Sequence, residues 1–307
     1  MCLIMPKGRK AAILNTCPTC SLHNLLHGAN FVPMSEDGFK LVTYRRRKHR
    51  KNTAQKNLRR DATPENAEKY ELHEVVEFLA IRILHNAYEL RATPLMKHVR
   101  EQLKTALIIL NSNDISEIVC YGLGRFTKSK SSRYQLAFLL CLKARYSDAC
   151  VHVYDPAFSS KEKEILRYLS LKIIEKNEEG KRILHQDRTT LVFMPHCPRE
   201  LMNNYLYANW GEGLSNCILL GNSISNLKED CWNKDTLRRS NYVYRIQPYI
   251  LEIKFDFLTH EYEYVFNDQS IHIFPKENFL QVPPNFWNCR EEPQYLKNDE
   301  TELIRRC

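Results

Sequence analysis

An α/β fold on an open, mostly parallel sheet with flanking helices is what this sequence predicts, from three observations. Short, almost wholly apolar runs recur from residue 113 onward, helical stretches separate them, and polar or glycine-bearing turns close them. Strands buried on both faces read as continuous apolar runs. Their alternation with helices implies right-handed crossovers and therefore parallel pairing.

Residues 1–60 show no sustained periodicity and are read as a disordered basic tail. Of the 45 Lys and Arg in the chain, ten fall in residues 40–60 with no acid among them, which leaves 35 bases against 36 acids elsewhere. The net charge of +9 therefore belongs to a segment. Met34, which opens "MSEDGFKLVTYRRRKHRK", is read as an alternative, or even the true, translation start in place of Met1.

Residues 61–112 are expected to form N-terminal helices packing on the core. Thr63 is placed as N-cap and Pro64 at the first helical position, with Leu72, Val75, Val76, Leu79, Ile83 and Leu84 forming an apolar face. A second helix is expected over 94–110. The core domain is placed at 113–280, with strands "EIVCYGL", "CVHVYD", a less marked "LKIIEK", "TLVFMPH" and "NCILLGN", and helices over 131–146, 159–170 and 198–210. "YRIQPYILEIKFDFL" and "YEYVFNDQSIHIF" are expected to add one or two edge strands, with antiparallel pairing left open. Residues 281–307 are expected to be a C-terminal tail. The predicted architecture is Rossmann-like.

In such a sheet, ligands bind beyond the carboxyl ends of the strands, so the residues there are the site candidates. Gly122-Leu123-Gly124-Arg125 is a partial dinucleotide fingerprint, because Thr127 stands where a third glycine belongs. Gly122, Gly124 and Arg125 are expected to contact a ligand, against the alternative of a tight turn with solvated bases. Asp155 sits where a ribose acceptor would be, or caps the next turn. Asn177, Glu178 and Glu179 cluster in "NEEGKR". His196 is expected to face the cleft while Cys197 begins a helix carrying Asn203, Asn204, Asn209 and Trp210, since neighbours on extended backbone point apart. Asn222 and Ser223 close the fifth strand, but a nucleophile elbow would need a second glycine.

Cys17, Cys20, His23 and His27 supply four potential metal ligands, yet the pairs lack the separation of a zinc finger, so no metal site is expected. The scattered cysteines suit packing rather than a disulfide framework. No run approaches the roughly 18 apolar residues of a spanning helix, so no membrane partner is expected. "RRRKHRK" suits nuclear import or sequence-independent nucleic-acid contact, which places the protein in cytoplasm and nucleus.

Together "IVCYGLGRF", "SRYQLAFLL", "VYDPAFS", "NEEGKR", "MPHC", "GNS" and "FNDQSIHIF", preceded by "EDGFKLVTYRRRKHRK", resemble the family named for sensitivity to red light reduced, over residues 36–275. The resemblance implies a regulatory role in circadian-clock input, in animals also in haem biosynthesis, and in fungi in microtubule stability. It implies no reaction and no catalytic residue, and leaves the small ligand or protein partner unidentified. The alternative is an unrecognised nucleotide-dependent or methyl-transferring enzyme, holding its cofactor through Gly122, Gly124 and Asp155 with His196 or Glu178 as acid or base. Cys17-Pro18 and Cys197-Pro198 resemble the Cys-Pro dipeptides of haem-sensing sites, which makes haem the cofactor to test.

Overall fold

The computed structural model describes residues 64–226, 241–255, 260–288 and 290–295. The basic run, Met34, Thr63, Cys17, Cys20, His23 and His27 lie outside them. Two helices come first: α1, Pro64–Arg91, and α2, Pro94–Ile109. The Thr93 hydroxyl caps α2 by accepting from the Met96 amide at 3.2 Å, with Pro94 in the first turn where its missing N–H costs nothing. Helix α1 differs from the sequence expectation in which face it buries. Val76, Ala80, Ile83, Ala87 and Leu90 face the core, while Leu72 and Val75 are exposed. Apolar residues occupy more than one face of α1, and the face that carries Ala80 and Ala87 is the one that packs against the helix following β1.

The α/β core then runs β1 (Glu117–Tyr121), α3 (Lys130–Arg145), β2 (Cys150–Tyr154), α4 (Ser160–Tyr168), β3 (Lys172–Ile173), β4 (Thr190–Met194), α5 (Arg199–Ala208) and β5 (Cys217–Asn222). It continues through α6 (Asn241–Ile246), β6 (Leu251–Lys254), α7 (Glu263–Phe266), β7 (Gln269–Ile273) and α8 (Lys276–Phe279). The seven strands lie in the order β3-β2-β1-β4-β5-β7-β6. β1 to β5 pair in parallel, whereas β7 is antiparallel to both β5 and β6. Only β6 is therefore an edge at that end; β7, which the sequence also suggested for an edge, is interior, and all five of its residues are buried. The order reverses between β1 and β4, so the loops leaving these strands diverge there and open a crevice.

Helices cover both faces. One core unites α1, α2, α3 and α4 with Val265 and Phe266 of α7. The other holds Met202, Tyr205 and Leu206 of α5, Tyr242, Val243 and Ile246 of α6, and Phe279. Residues beyond 281, expected as a tail, pack on this second face: the Trp210 indole N–H and Arg245 both donate to the Phe286 carbonyl, at 3.1 and 2.7 Å. The Tyr295 hydroxyl donates to Asn204 Oδ1 at 2.9 Å. Three aromatic side chains, Phe286, Trp287 and Tyr295, make this attachment, and it could not be inferred from local periodicity. Among the described residues no helix is long and apolar enough to cross a membrane.

β7 carries a fully buried imidazole. His272 Nδ1 lies 3.0 Å from the Leu219 carbonyl and must donate to it, so Nε2 accepts from the Ile224 amide at 3.3 Å. Burial lowers its pKa from 6.5, with Glu252 acting in the opposite sense. A depressed histidine contributes its stability in full above the unfolded value and loses it as pH falls from there toward the folded value. The urea midpoint should therefore drop between pH 7 and 5, and His272→Gln, which can make both hydrogen bonds, should flatten that drop. An unchanged slope in the variant would refute the assignment.

Candidate functional site

A cavity of about 240 Å³ opens at the switch point. Tyr121 and Gly122 contribute from the end of β1, Tyr154, Asp155 and Pro156 from the end of β2, and Asn177 and Gly180 from the segment after β3. Cys197, Pro198 and Leu201 close it from the start of α5. The Tyr121 and Tyr154 rings meet edge to face with centroids 6.5 Å apart. Among the described residues that line it there is one carboxylate, Asp155, and no Lys, Arg or His.

The glycine turn is built by its neighbours. Gly122 has φ +75° and Gly124 has φ +64°, backbone that side chains disfavour. A Cβ on Gly122 would lie 2.3 Å from Cys197 Sγ, so it is the cysteine that demands the glycine. Asp155 holds the turn: Oδ2 accepts from the Gly124 amide and Oδ1 from the Ala157 amide, each at 2.7 Å. Asp155 thus caps its own turn, and it also lines the cavity.

Thr127 departs from the fingerprint because it has other work. Its amide and hydroxyl donate to Glu162 Oε1 at 3.0 and 2.8 Å, while the Ser159 amide and hydroxyl donate to Oε2 at 2.9 and 2.8 Å. Arg125 Nε stands 3.4 Å from the same carboxylate. Burial opposes ionisation of Glu162, but the hydrogen bonds from Ser159 and Thr127 outweigh it and hold the carboxyl below its usual range. Arg125, expected to meet a ligand, instead pairs with Glu162 and does not line the cavity.

The segment after β3 is a docked loop. Asn177 Oδ1 accepts from the Glu179 amide at 2.9 Å, and Glu179 and Gly180 take φ of +51° and +75°. A Cβ on Gly180 would come 2.9 Å from the Leu201 carbonyl, so the loop sits hard against α5. Asn204 Nδ2 donates to the Glu179 carbonyl at 2.9 Å; Asn209 Nδ2 donates to the Arg182 carbonyl at 2.8 Å and its Oδ1 accepts from the Leu184 amide at 2.7 Å. Glu178 turns inward, accepting from the Tyr121 hydroxyl at 2.8 Å and from Arg182 at 3.1 Å; Arg182 also donates to Glu117 at 2.9 Å. Burial first, and the Glu178 carboxylate second, push the Tyr121 hydroxyl far above its ordinary pKa, so it stays protonated as a donor. Glu179 pairs with Lys181 at 2.9 Å.

At the end of β4 the expected orientation is reversed. His196 has φ +51°, is exposed, and donates Nε2–H to the Val265 carbonyl at 2.9 Å; it does not line the cavity, whereas Cys197 does. Neighbours point apart on extended backbone, but the left-handed residue breaks that parity. Asn222 Nδ2 donates to the Cys197 carbonyl at 3.0 Å, and Ser223 Oγ to Glu252 at 2.5 Å, so both brace the loops behind the cavity. Of the residues expected to bind a ligand, the structure brings Gly122, Asp155 and Asn177 together, with Cys197, and places Gly124, Arg125, Glu178, Glu179, His196, Asn222 and Ser223 outside the lining. Tyr121 and Tyr154 were missed, although each ends a strand, where the same rule applies, and so was Gly180 in the loop beyond β3.

The haem expectation does not fit the described cysteine. Cys197 is 7% exposed, its Sγ donates to the Tyr121 carbonyl at 3.4 Å, and it is wedged against Gly122, so its sulfur is not presented to an iron. Cys17 lies outside the described residues.

Fold and site define a doubly wound α/β domain with a small cavity at its switch point, lined by two tyrosines, a carboxylate and an asparagine among the described residues. Residues 95–273 match the family model described as the SRR1 domain, more than half of the 307 residues, and the chain belongs to that family. It is similar to the SRR1-like protein of Mus musculus, 40% identical over 44% of this chain and 52% of the mouse protein, so the match spans about half of that relative. It is also similar to Protein SENSITIVITY TO RED LIGHT REDUCED 1 of Arabidopsis thaliana, 29% identical over 60% of this chain and 70% of that protein. Among solved structures, the plantazolicin methyltransferase BpumL is similar over 72% of this chain and 95% of its own, with 13% identity and a TM-score of 0.30.

Proposed function

We propose that this protein is a regulator in circadian-clock input that responds to a small, phosphate-free ring compound bound in the switch-point cavity. Family membership and the name of the plant relative support the pathway. One observation carries the ligand class: two tyrosine rings, a carboxylate and an asparagine line the cavity without any described basic side chain. Phosphates are held by basic side chains or converging backbone N–H groups, and here the Gly124 amide is already taken by Asp155. A ring stacked on tyrosine, with donors for Asp155 and Asn177, suits the lining. Regulation of haem biosynthesis belongs to the same proposal on the family resemblance alone, and residence in cytoplasm and nucleus on the basic run.

Thermal-shift titration of the full chain with nucleosides, S-adenosylmethionine, NAD, ATP and haem tests the reading. A ligand at about 100 times its Kd should stabilise by about 2.7 kcal/mol. The expected result is a rise with a phosphate-free compound that is lost in Asn177→Ala and Tyr154→Ala. Stabilisation by ATP or NAD alone would overturn the ligand class, and turnover of the bound compound would favour the enzyme alternative.

A further inference from the structure

A second chemical cluster lies on β2, at residues that do not line the cavity. Strand alternation turns Cys150, His152 and Tyr154 to the half-open face, with Val151 and Val153 buried. That face is only partly covered, and β3 beside it is only two residues long. Cys150 Sγ is 3.1 Å from His152 Nε2. Arg182 Nη2 lies 3.4 Å from His152 Nδ1, and a guanidinium only donates, so Nδ1 accepts and Nε2–H is the donor aimed at the sulfur. Lys172 stands on β3, where the register sets it opposite His152, and interaction with the Cys150 sulfur raises its pKa. Glu117 closes the cluster, 3.7 Å from His152 Nε2.

The other described thiols are enclosed. Cys120, Cys141, Cys197 and Cys217 are buried, and Cys150 alone among the described cysteines is partly exposed. Burial pushes the Cys141 and Cys217 thiols up to about 12 and raises the Cys120 thiol well above its ordinary value. The deprotonated sulfur is the nucleophile in thiol chemistry, and reactive cysteines are the accessible ones among cationic and N–H donor neighbours.

We propose that Cys150 is a modification site, a peroxide-reactive thiol held by His152 and Lys172. The Cys150 proton passes to solvent and the sulfur attacks one oxygen of hydrogen peroxide. The S–O bond forms, the O–O bond breaks, and the departing hydroxide takes a proton from water. Cysteine is oxidised to sulfenic acid and the peroxide is reduced to water, a step reversible by thiol reductants.

The test treats the full, folded chain with limiting hydrogen peroxide, traps sulfenic acid with dimedone, and reads each cysteine peptide by mass spectrometry. Cys150 should be trapped at least about tenfold faster than Cys120, Cys141, Cys197 or Cys217, as expected for an accessible thiol among donors. Lys172→Met, at an exposed edge position, and His152→Ala should each slow Cys150 severalfold, with unfolding midpoints measured in parallel. A Cys150 rate no greater than that of the buried thiols, or one unchanged in Lys172→Met at an unchanged midpoint, would overturn the proposal.

Discussion

Replacing Glu162 by alanine is expected to remove about 3–5 kcal/mol of stability, the usual cost of stripping one partner from a buried charged network. The side chain is 0% exposed and accepts from both Thr127 donors and both Ser159 donors, so truncation leaves these groups and Arg125 without their acceptor. Urea unfolding reads the loss. Glu162→Gln keeps the shape and one acceptor oxygen, so about half the cost is expected. The two variants should also separate by pH. A carboxyl held below its unfolded value contributes stability above that value and loses it as pH falls through the folded one. The acid limb of the stability profile should therefore flatten in Glu162→Gln below about pH 4.5. A Glu162→Ala cost under about 1 kcal/mol, the range of an exposed pair, would mean that the clamp does not hold the glycine turn.

Gly122→Ala is expected to be the most damaging single methyl. Positive φ costs a non-glycine residue about 1–2 kcal/mol, and overpacking adds about 1–3 more. The clash is with one atom, Cys197 Sγ at 2.3 Å, with the next contacts at 3.8 and 3.9 Å. In a Cys197→Ala background the sulfur is gone, and the cost of Gly122→Ala should fall to the backbone share of about 1–2 kcal/mol. Equal costs in the two backgrounds would show that the sulfur does not set the requirement for glycine. Since both residues line the cavity, the single variant should also lose whatever thermal shift the wild type shows.

The parallel strands and their helices were legible because burial on two faces leaves its mark within each strand. β1, β2, β4 and β5 fall inside their predicted runs, and α3 to α5 lie within a residue or two of their predicted spans. The placement of β7 between β5 and β6 was not legible, because strand order is a long-range property of which apolar edge remains unpaired. Where the rule of strand ends applied directly, at Gly122, Asp155 and Asn177, the named residues line the cavity. At His196 the backbone leaves the extended region, and the side chain lies outside the lining. Glu162 was overlooked, although Ser159-x-x-Glu162 is a capping-box spacing visible in the sequence. Thr127 could not be understood without it, since a hydroxyl in a glycine's place makes sense only once its acceptor is known.

The position of β7 sets an order of assembly. Ribosomal synthesis delivers β5 well before residues 269–273, and until those residues emerge the β5 backbone has a bare edge of "CILLGN". Such an edge is a template for joining another chain. A nascent chain is therefore most vulnerable in that interval, and a transcript ending short of Ile273 would encode a sheet lacking the strand on which both β5 and β6 depend.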